Sequence, residues 1–308
     1  MNIVQYNQYG KQQIKIRRTD MKKKLLYGWH GEFGWEIMTT VPEVKALSKQ
    51  YDVTLVGYED TAGLYTDLDI TFVPHGFDFR ICGRGPGVDP ELWKPFVDSI
   101  PHDLIRVHGL PPLSKMKFTP ERTEIRQDIS PAKKVKICIH ARKFVGGKTG
   151  RNMHSHTYDT VEKMRDAGYD LVFIGNTKHS GYEEGMGTDA RGASMEDTIR
   201  HIKESVLVFG PASGPMVLAQ WCRTPIFTWS CGDLRLDHNR NSESKKWNPL
   251  ETEHFHPWSE IDGQRDKWTK TYRGGCGGVK QDQIESGLSW TIDSLVEKHP
   301  GLDLPTFQ

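Results

Sequence analysis

Ser205-Val-Leu-Val-Phe-Gly-Pro-Ala-Ser-Gly-Pro-Met-Val-Leu-Ala-Gln-Trp-Cys-Arg-Thr-Pro-Ile-Phe-Thr-Trp229 is the stretch whose reading decides the fold. Val206 to Phe209 are an unbroken apolar run, Gly210 to Gly214 are small turn formers, Pro215 to Trp221 suit a helix, and Ile226 to Trp229 are apolar again. Apolar runs without alternation suit parallel strands buried on both faces, and a helix between two of them makes a right-handed crossover. Ser213 stands where an N-cap is expected, Pro215 fits a first helical turn, and Gly214 lets a ligand approach the backbone. Such a turn is an anion site, because amide hydrogens and the positive end of the helix dipole point at it. It is equally an ordinary strand-to-helix turn of an α/β domain.

Upstream, the same grammar repeats. Lys134 to His140 reads as a strand, Thr157 to Ala167 as a helix, Tyr169 to Ile174 as a strand ending in the Gly175-Asn176 turn. A polar loop runs to Arg191, and Ser194-Met-Glu-Asp197 is a cap followed by acids that opens another helix. The exit from the first of these strands, His140 to Asn152, combines Arg142, Lys143, Lys148 and Arg151 with three glycines. That is the composition a diphosphate needs: charge to meet it and glycines to let backbone approach. Its Gly-Lys-Thr lacks the earlier glycine of a P-loop.

The N-terminal half begins with another strand, Lys24 to Gly28, a glycine-containing loop from Trp29 to Glu36, and a helix from Ile37 to Lys49. Strands over 51–57 and 69–73 follow, so this half too is a parallel α/β domain. Glu36 and Glu32 lie in the first loop beside Trp29, Phe33 and Trp35, where apolar surroundings favour a carboxylate that accepts protons. Glu36 is equally placed to face the dipole of its own helix. Residues 77–130, rich in Gly, Pro and charge, carry no clear element. The chain divides into an extension (1–20) with no assigned fold, an N-terminal Rossmann-like domain (21–130), a C-terminal Rossmann-like domain (131–280), and a final amphipathic helix and tail (281–308).

Composition bounds the rest. The 308 residues suffice for two domains, and 36% hydrophobic with 26% charged residues describe a globular chain. No run approaches the roughly 18 apolar residues of a membrane span, and no signal-peptide core opens the sequence, so the expected location is the cytoplasm. Five scattered cysteines make no close metal-ligand pair. The pairs His154/His156 and His254/His256 lack a third ligand, and no metal is assigned. Net charge is +1, which excludes a global polycation; residues 11–24 are locally basic, as a backbone-tracking arm or a solvated tail would be.

Ala193-Ser-Met-Glu-Asp-Thr-Ile-Arg-His-Ile-Lys-Glu-Ser-Val-Leu-Val-Phe-Gly-Pro-Ala-Ser-Gly-Pro-Met-Val-Leu-Ala219, with Thr224-Pro225, resembles the donor-binding segment of GT-B glycosyltransferases, in particular the heptosyltransferase group. Gly34-Trp-Glu-Ile-Met-Thr-Thr-Val-Pro-Glu-Val-Lys-Ala-Leu47 resembles that group's first loop and helix, with Trp35 inserted and Glu36 as the acid. His140-Ala-Arg142 is similar to the His-x-Arg turn of fucosyltransferases. The resemblance implies two Rossmann-like domains facing a cleft. It implies donor phosphate on Ser213, Gly214 and Arg142, to which the composition of the 140–152 loop adds Lys148 or Arg151, and a nucleotide near Asn176, Met195 and Glu196. The catalytic base is then Glu36 first and Glu32 second. It implies no cofactor beyond the nucleotide-sugar co-substrate, inversion at the sugar, and a saccharide or glycolipid acceptor. Ala212 and Val217 depart from the group's acid and histidine. Rival readings are a DNA glycosyltransferase acting on a hydroxymethylated base, a nucleotide-sugar epimerase, and a sugar-nucleotide-binding protein without turnover.

Overall fold

The structure, a computed structural model, describes residues 4–6, 12–14, 22–77, 90–107, 135–143, 152–153, 155–229, 250, 252–255, 257 and 279–306. Two short strands, β1 (Val4–Tyr6) and β2 (Gln12–Ile14), pair antiparallel within the extension to which the sequence assigns no fold.

The N-terminal half is a four-stranded parallel sheet in the order β5 (Thr71–Pro74), β4 (Asp52–Gly57), β3 (Lys24–Gly28), β6 (Leu104–Val107). Alternation along β3 sends Leu25 and Tyr27 into one apolar cluster and Leu26 into another, built with Val56, Trp93 and Val107. Gly28 points the same way as Leu26. A Cβ there would lie 2.8 Å from the Trp93 ring, so the residue must be small.

Helical structure begins earlier than the spacing of Ile37, Val41 and Val44 suggests. It opens with α1 (Phe33–Trp35), runs through a π-helical segment (Glu36–Thr40), and continues as α2 (Val41–Ser48). Pro42 explains the π segment, since proline has no amide hydrogen and its ring collides with the carbonyl four residues back. The ladder widens ahead of it, and the Val41 amide donates to the Glu36 carbonyl, five residues away. Beyond β4 come a 3₁₀ helix (Glu59–Tyr65), a second one (Pro90–Trp93), and α3 (Lys94–Ser99).

The C-terminal half is a six-stranded parallel sheet in the order β12 (His254–Phe255), β11 (Ile226–Trp229), β10 (Leu207–Pro211), β7 (Lys136–Ile139), β8 (Asp170–Phe173), β9 (Thr188–Asp189). Strand β10 is buried along its whole length, as its unbroken apolar run requires. Helices α4 (Ser155–Asp166), α5 (Met195–Lys203) and α6 (Gly214–Trp221) connect the strands, and α7 (Gln281–Lys298) packs on α4. One face of this sheet forms its own core with α4 and α7. The other face belongs to a single apolar cluster that also contains Leu25, Tyr27, Val44 and Leu55 of the N-terminal half. Phe33, Trp35, Met195 and Val217 are packed against that shared cluster.

Candidate functional site

Three strand exits of the second sheet converge on His140. It follows β7, its amide donates to the Phe209 carbonyl of β10 at 2.9 Å, and its ring reaches Ser213 beyond β10. Gly210 permits this approach, since a Cβ there would stand 2.4 Å from the His140 carbonyl oxygen, at a φ of +153°. Gly175, after β8, closes the third side: its Cβ would lie 2.9 Å from the His140 ring and 2.2 Å from Ser180 Oγ. Only glycine tolerates such crowding at a φ of +117°.

Ser213 occupies the N-cap of α6 in extended conformation, as its place in the sequence suggests, but its side chain makes no cap bond. Oγ lies 2.8 Å from His140 Nδ1 instead. His140 is buried. Desolvation, with a smaller contribution from the nearby Arg142 charge, lowers its pKa to about 3, so the imidazole is neutral at physiological pH. Arg142 is held by its backbone: its amide donates to the His140 carbonyl at 3.0 Å, its carbonyl accepts from the Met153 amide at 2.8 Å, and it forms a bridge with Ser180. Lys148 and Arg151 lie outside the described residues.

The N-terminal half meets this turn directly. Gly214 lies under Phe33, and a Cβ on it would stand 2.6 Å from Phe33 Cδ1 and 3.3 Å from the Gly34 nitrogen. Glu32 immediately precedes Phe33 and is half-buried; Glu36, one turn on, has no exposure at all. The Glu36 carboxylate accepts from Thr61 Oγ1 at 2.8 Å and from Tyr65 Oη at 3.0 Å, both on the 3₁₀ helix after β4. That helix also touches α5: Gly63 lies against the Glu196 carboxylate, where a Cβ would come within 2.7 Å. Met195 is partly buried at the same seam. Ser194 caps α5 by accepting from the Asp197 amide at 3.0 Å, so Glu196 is not the cap. Asn176 is exposed at the β8 exit, and its Oδ1 accepts from the Lys178 amide at 2.8 Å in an Asx turn.

The structure therefore brings the Ser213–Gly214 turn against Phe33 and Gly34 of the loop bearing Glu32 and sets Arg142 against His140, the partner of Ser213, while Met195 and Glu196 sit at the adjoining contact between α5 and the 59–65 helix. No group of three or more metal-ligating side chains occurs among the described residues. His256, the partner of His254 in one candidate pair, lies outside the described residues, as does His154 of the other. Sequence reasoning did not anticipate the roles of His140, Thr61, Tyr65 and Phe33. Thr61 and Tyr65 lie on a 3₁₀ helix, where positions four apart do not share a face, so their spacing gave no signal of the shared partner.

Among solved structures, two are similar to this chain in overall fold. The glycosyl transferase family 9 protein from Veillonella parvula DSM 2008 aligns with 91% of this chain and 99% of its own, at a TM-score of 0.52 and 12% identity. The ADP-heptose LPS heptosyltransferase II of E. coli aligns with 91% of this chain and 100% of its own, at a TM-score of 0.52 and 11% identity. The fold is GT-B-like. At these identities the likeness concerns architecture, and no protein-family model and no curated protein matches the sequence. In this GT-B-like chain the loops that leave the carboxyl ends of the two parallel sheets face one another, which is where ligands bind in open α/β sheets. No helix among the described residues is long and apolar enough to cross a membrane.

Proposed function

We propose that the chain is a glycosyltransferase that moves a sugar from a nucleotide-diphosphate sugar to a hydroxyl acceptor. The observation that carries the reading is the uncapped Ser213–Gly214 turn, bonded to His140 two residues before Arg142, at the seam between two parallel sheets of a GT-B-like fold. The turn supplies the Gly214 and Met216 amides and the positive end of α6. Arg142, with the sequence's Lys148 or Arg151, supplies charge to meet the diphosphate as the bond from sugar carbon to phosphate oxygen breaks. The acceptor oxygen forms the new bond at that carbon from the opposite face, inverting it, and gives its proton to a carboxylate. Accessibility favours Glu32 for this step, because a base must come within hydrogen-bond reach of the acceptor. Glu36, sealed against Thr61 and Tyr65, then orders the 59–65 helix. Met195, Glu196 and Asn176 are assigned to the nucleotide. The scheme needs no metal and no cofactor.

A saccharide or glycolipid acceptor is the reading that one of the two fold relatives favours, since it is named for ADP-heptose and LPS. The test is a thermal-stabilisation screen with UDP-, GDP-, ADP-, CMP- and dTDP-sugars, comparing wild type with Arg142→Ala. Stabilisation by one nucleotide class that the variant loses is the expected result. Product assays with that donor, with and without saccharide acceptors, then separate transfer from epimerisation and from binding without turnover. If no nucleotide stabilises the wild type, the reading fails.

A further inference from the structure

The Ser213 hydroxyl does not do what its position invites. A serine at an N-cap normally accepts from an amide in the first turn, at the second or third helical position. In α6 the second position is Pro215, which has no amide hydrogen, so Met216 is the first-turn amide left for such a cap. The bond is absent, and Oγ is spent on His140 Nδ1, 73 positions earlier in the chain. His140 is 5% exposed and neutral, and therefore carries one N–H and one lone pair. Its Nε2 edge faces Gly175, where a Cβ would lie 3.2 Å from Nε2 and 2.2 Å from Ser180 Oγ. The Ser180 hydroxyl is itself buried, with no hydrogen-bond partner among the described residues.

We propose that His140 is a positioning residue that donates through Nδ1–H to Ser213 Oγ and so holds this hydroxyl off its own helix, leaving the Ser213 O–H and the Met216 amide to a donor phosphate. The proposal rests on the donor-site reading given above. In the Nδ1–H tautomer the serine oxygen is the acceptor, its proton is directed to a third group, and the Nε2 lone pair stays on the Ser180 side. With the other tautomer the serine donates to the ring and has no proton left for a ligand. Without the imidazole, Ser213 turns back onto the Met216 amide, and the turn loses two of its phosphate donors at once. A diphosphate suits the arrangement because its oxygens are acceptors only and charge strengthens each bond.

The test titrates ADP, UDP, GDP, CDP and dTDP by calorimetry into wild type, His140→Asn, His140→Phe, Ser213→Ala and the His140→Phe/Ser213→Ala pair. Asparagine can present an amide N–H near the place of Nδ1, so His140→Asn is expected to bind within about threefold of wild type. Ser213→Ala is expected to weaken binding about tenfold, the scale of one bond to a charged group, and His140→Phe about a hundredfold, the scale of two, with the double variant no weaker than Ser213→Ala. A His140→Phe protein that melts like wild type and binds as well, or losses that multiply in the pair, would overturn the proposal. If no diphosphate binds wild type, the donor-site reading fails, and hydrogen exchange at the Met216 amide judges the positioning role by itself. Slower exchange in His140→Phe than in wild type, reversed in the pair, supports it; equal exchange overturns it. Should His140→Phe not fold, ¹⁵N shifts of the wild-type imidazole decide: a protonated Nδ1 is expected, and a protonated Nε2 contradicts the proposal.

Discussion

His140 gives the protein a pH signature of its own. Its folded pKa of about 3 lies below the ordinary value of 6.5, so between those limits the unfolded chain takes up a proton that the folded chain refuses. Its contribution is complete above about pH 6.5 and is lost as the pH falls toward 3, by up to about 1.4 kcal/mol for each pH unit. Denaturant unfolding at pH 7 and pH 4.5 should therefore show a smaller loss in His140→Asn than in wild type, and equal losses would remove the buried neutral imidazole from the account. The two loop carboxylates divide along similar lines. Glu32→Gln is expected to cut turnover by about 10²–10⁴ while leaving donor-induced stabilisation in place. Thr61→Val should instead lower the melting temperature, by about 1–3 kcal/mol of stability, because it takes a donor from the buried Glu36 carboxylate. Sequence reading places both acids in the glycine and aromatic loop after the first parallel strand, and the structure puts that loop against Gly214. Which of them is sealed was not legible, because it depends on hydroxyls at Thr61 and Tyr65 that arrive after another strand. The Ser213–His140 contact was hidden for the same reason: a capping serine is a local pattern, and the group that draws it away is distant in the chain.

Elements were legible where burial is two-sided. Strands β7, β8, β10 and β11 read as short apolar runs because both faces of the second sheet are covered. Strand β6 was invisible, for it stands at the edge of its sheet and carries Arg106 in its middle. Arg106 forms an ion pair with Glu43 of α2, and the same carboxylate accepts from Tyr27 Oη at 3.0 Å. Burial, followed by the negative charge of Glu43, pushes the Tyr27 pKa up, so the phenol stays protonated and donates to the acid beside Arg106. Arg106→Met is expected to cost about 2–3 kcal/mol, less than a fully buried pair because the arginine keeps some contact with water, and Glu43→Gln in the same chain should recover part of it. The helix from 33 to 48 starts ahead of the expected Ile37, within the stretch whose glycines read as a loop. The π segment absorbs the proline, and Gly34 serves the contact with Gly214.

At the scale of the molecule, the seam between the two halves is apolar and continuous. Residues from both sheets share one cluster, Phe33 lies on Gly214, and Glu196 lies on Gly63. Two domains joined by a small polar contact would unfold separately, whereas two that share a core lose part of each other's burial on separation. A single calorimetric transition is therefore expected, with the calorimetric enthalpy equal to the van't Hoff enthalpy. Gly214→Ala tests the cause: its Cβ must displace the Phe33 ring, at about 1–3 kcal/mol, and the wedge falls where the halves meet. The variant should broaden or split the transition, and Phe33→Leu in the same chain should narrow it again. Two transitions in the wild type would mean that the shared cluster does not couple the halves. A donor nucleotide would then stabilise only the C-terminal half, whereas coupled halves require it to move the whole transition.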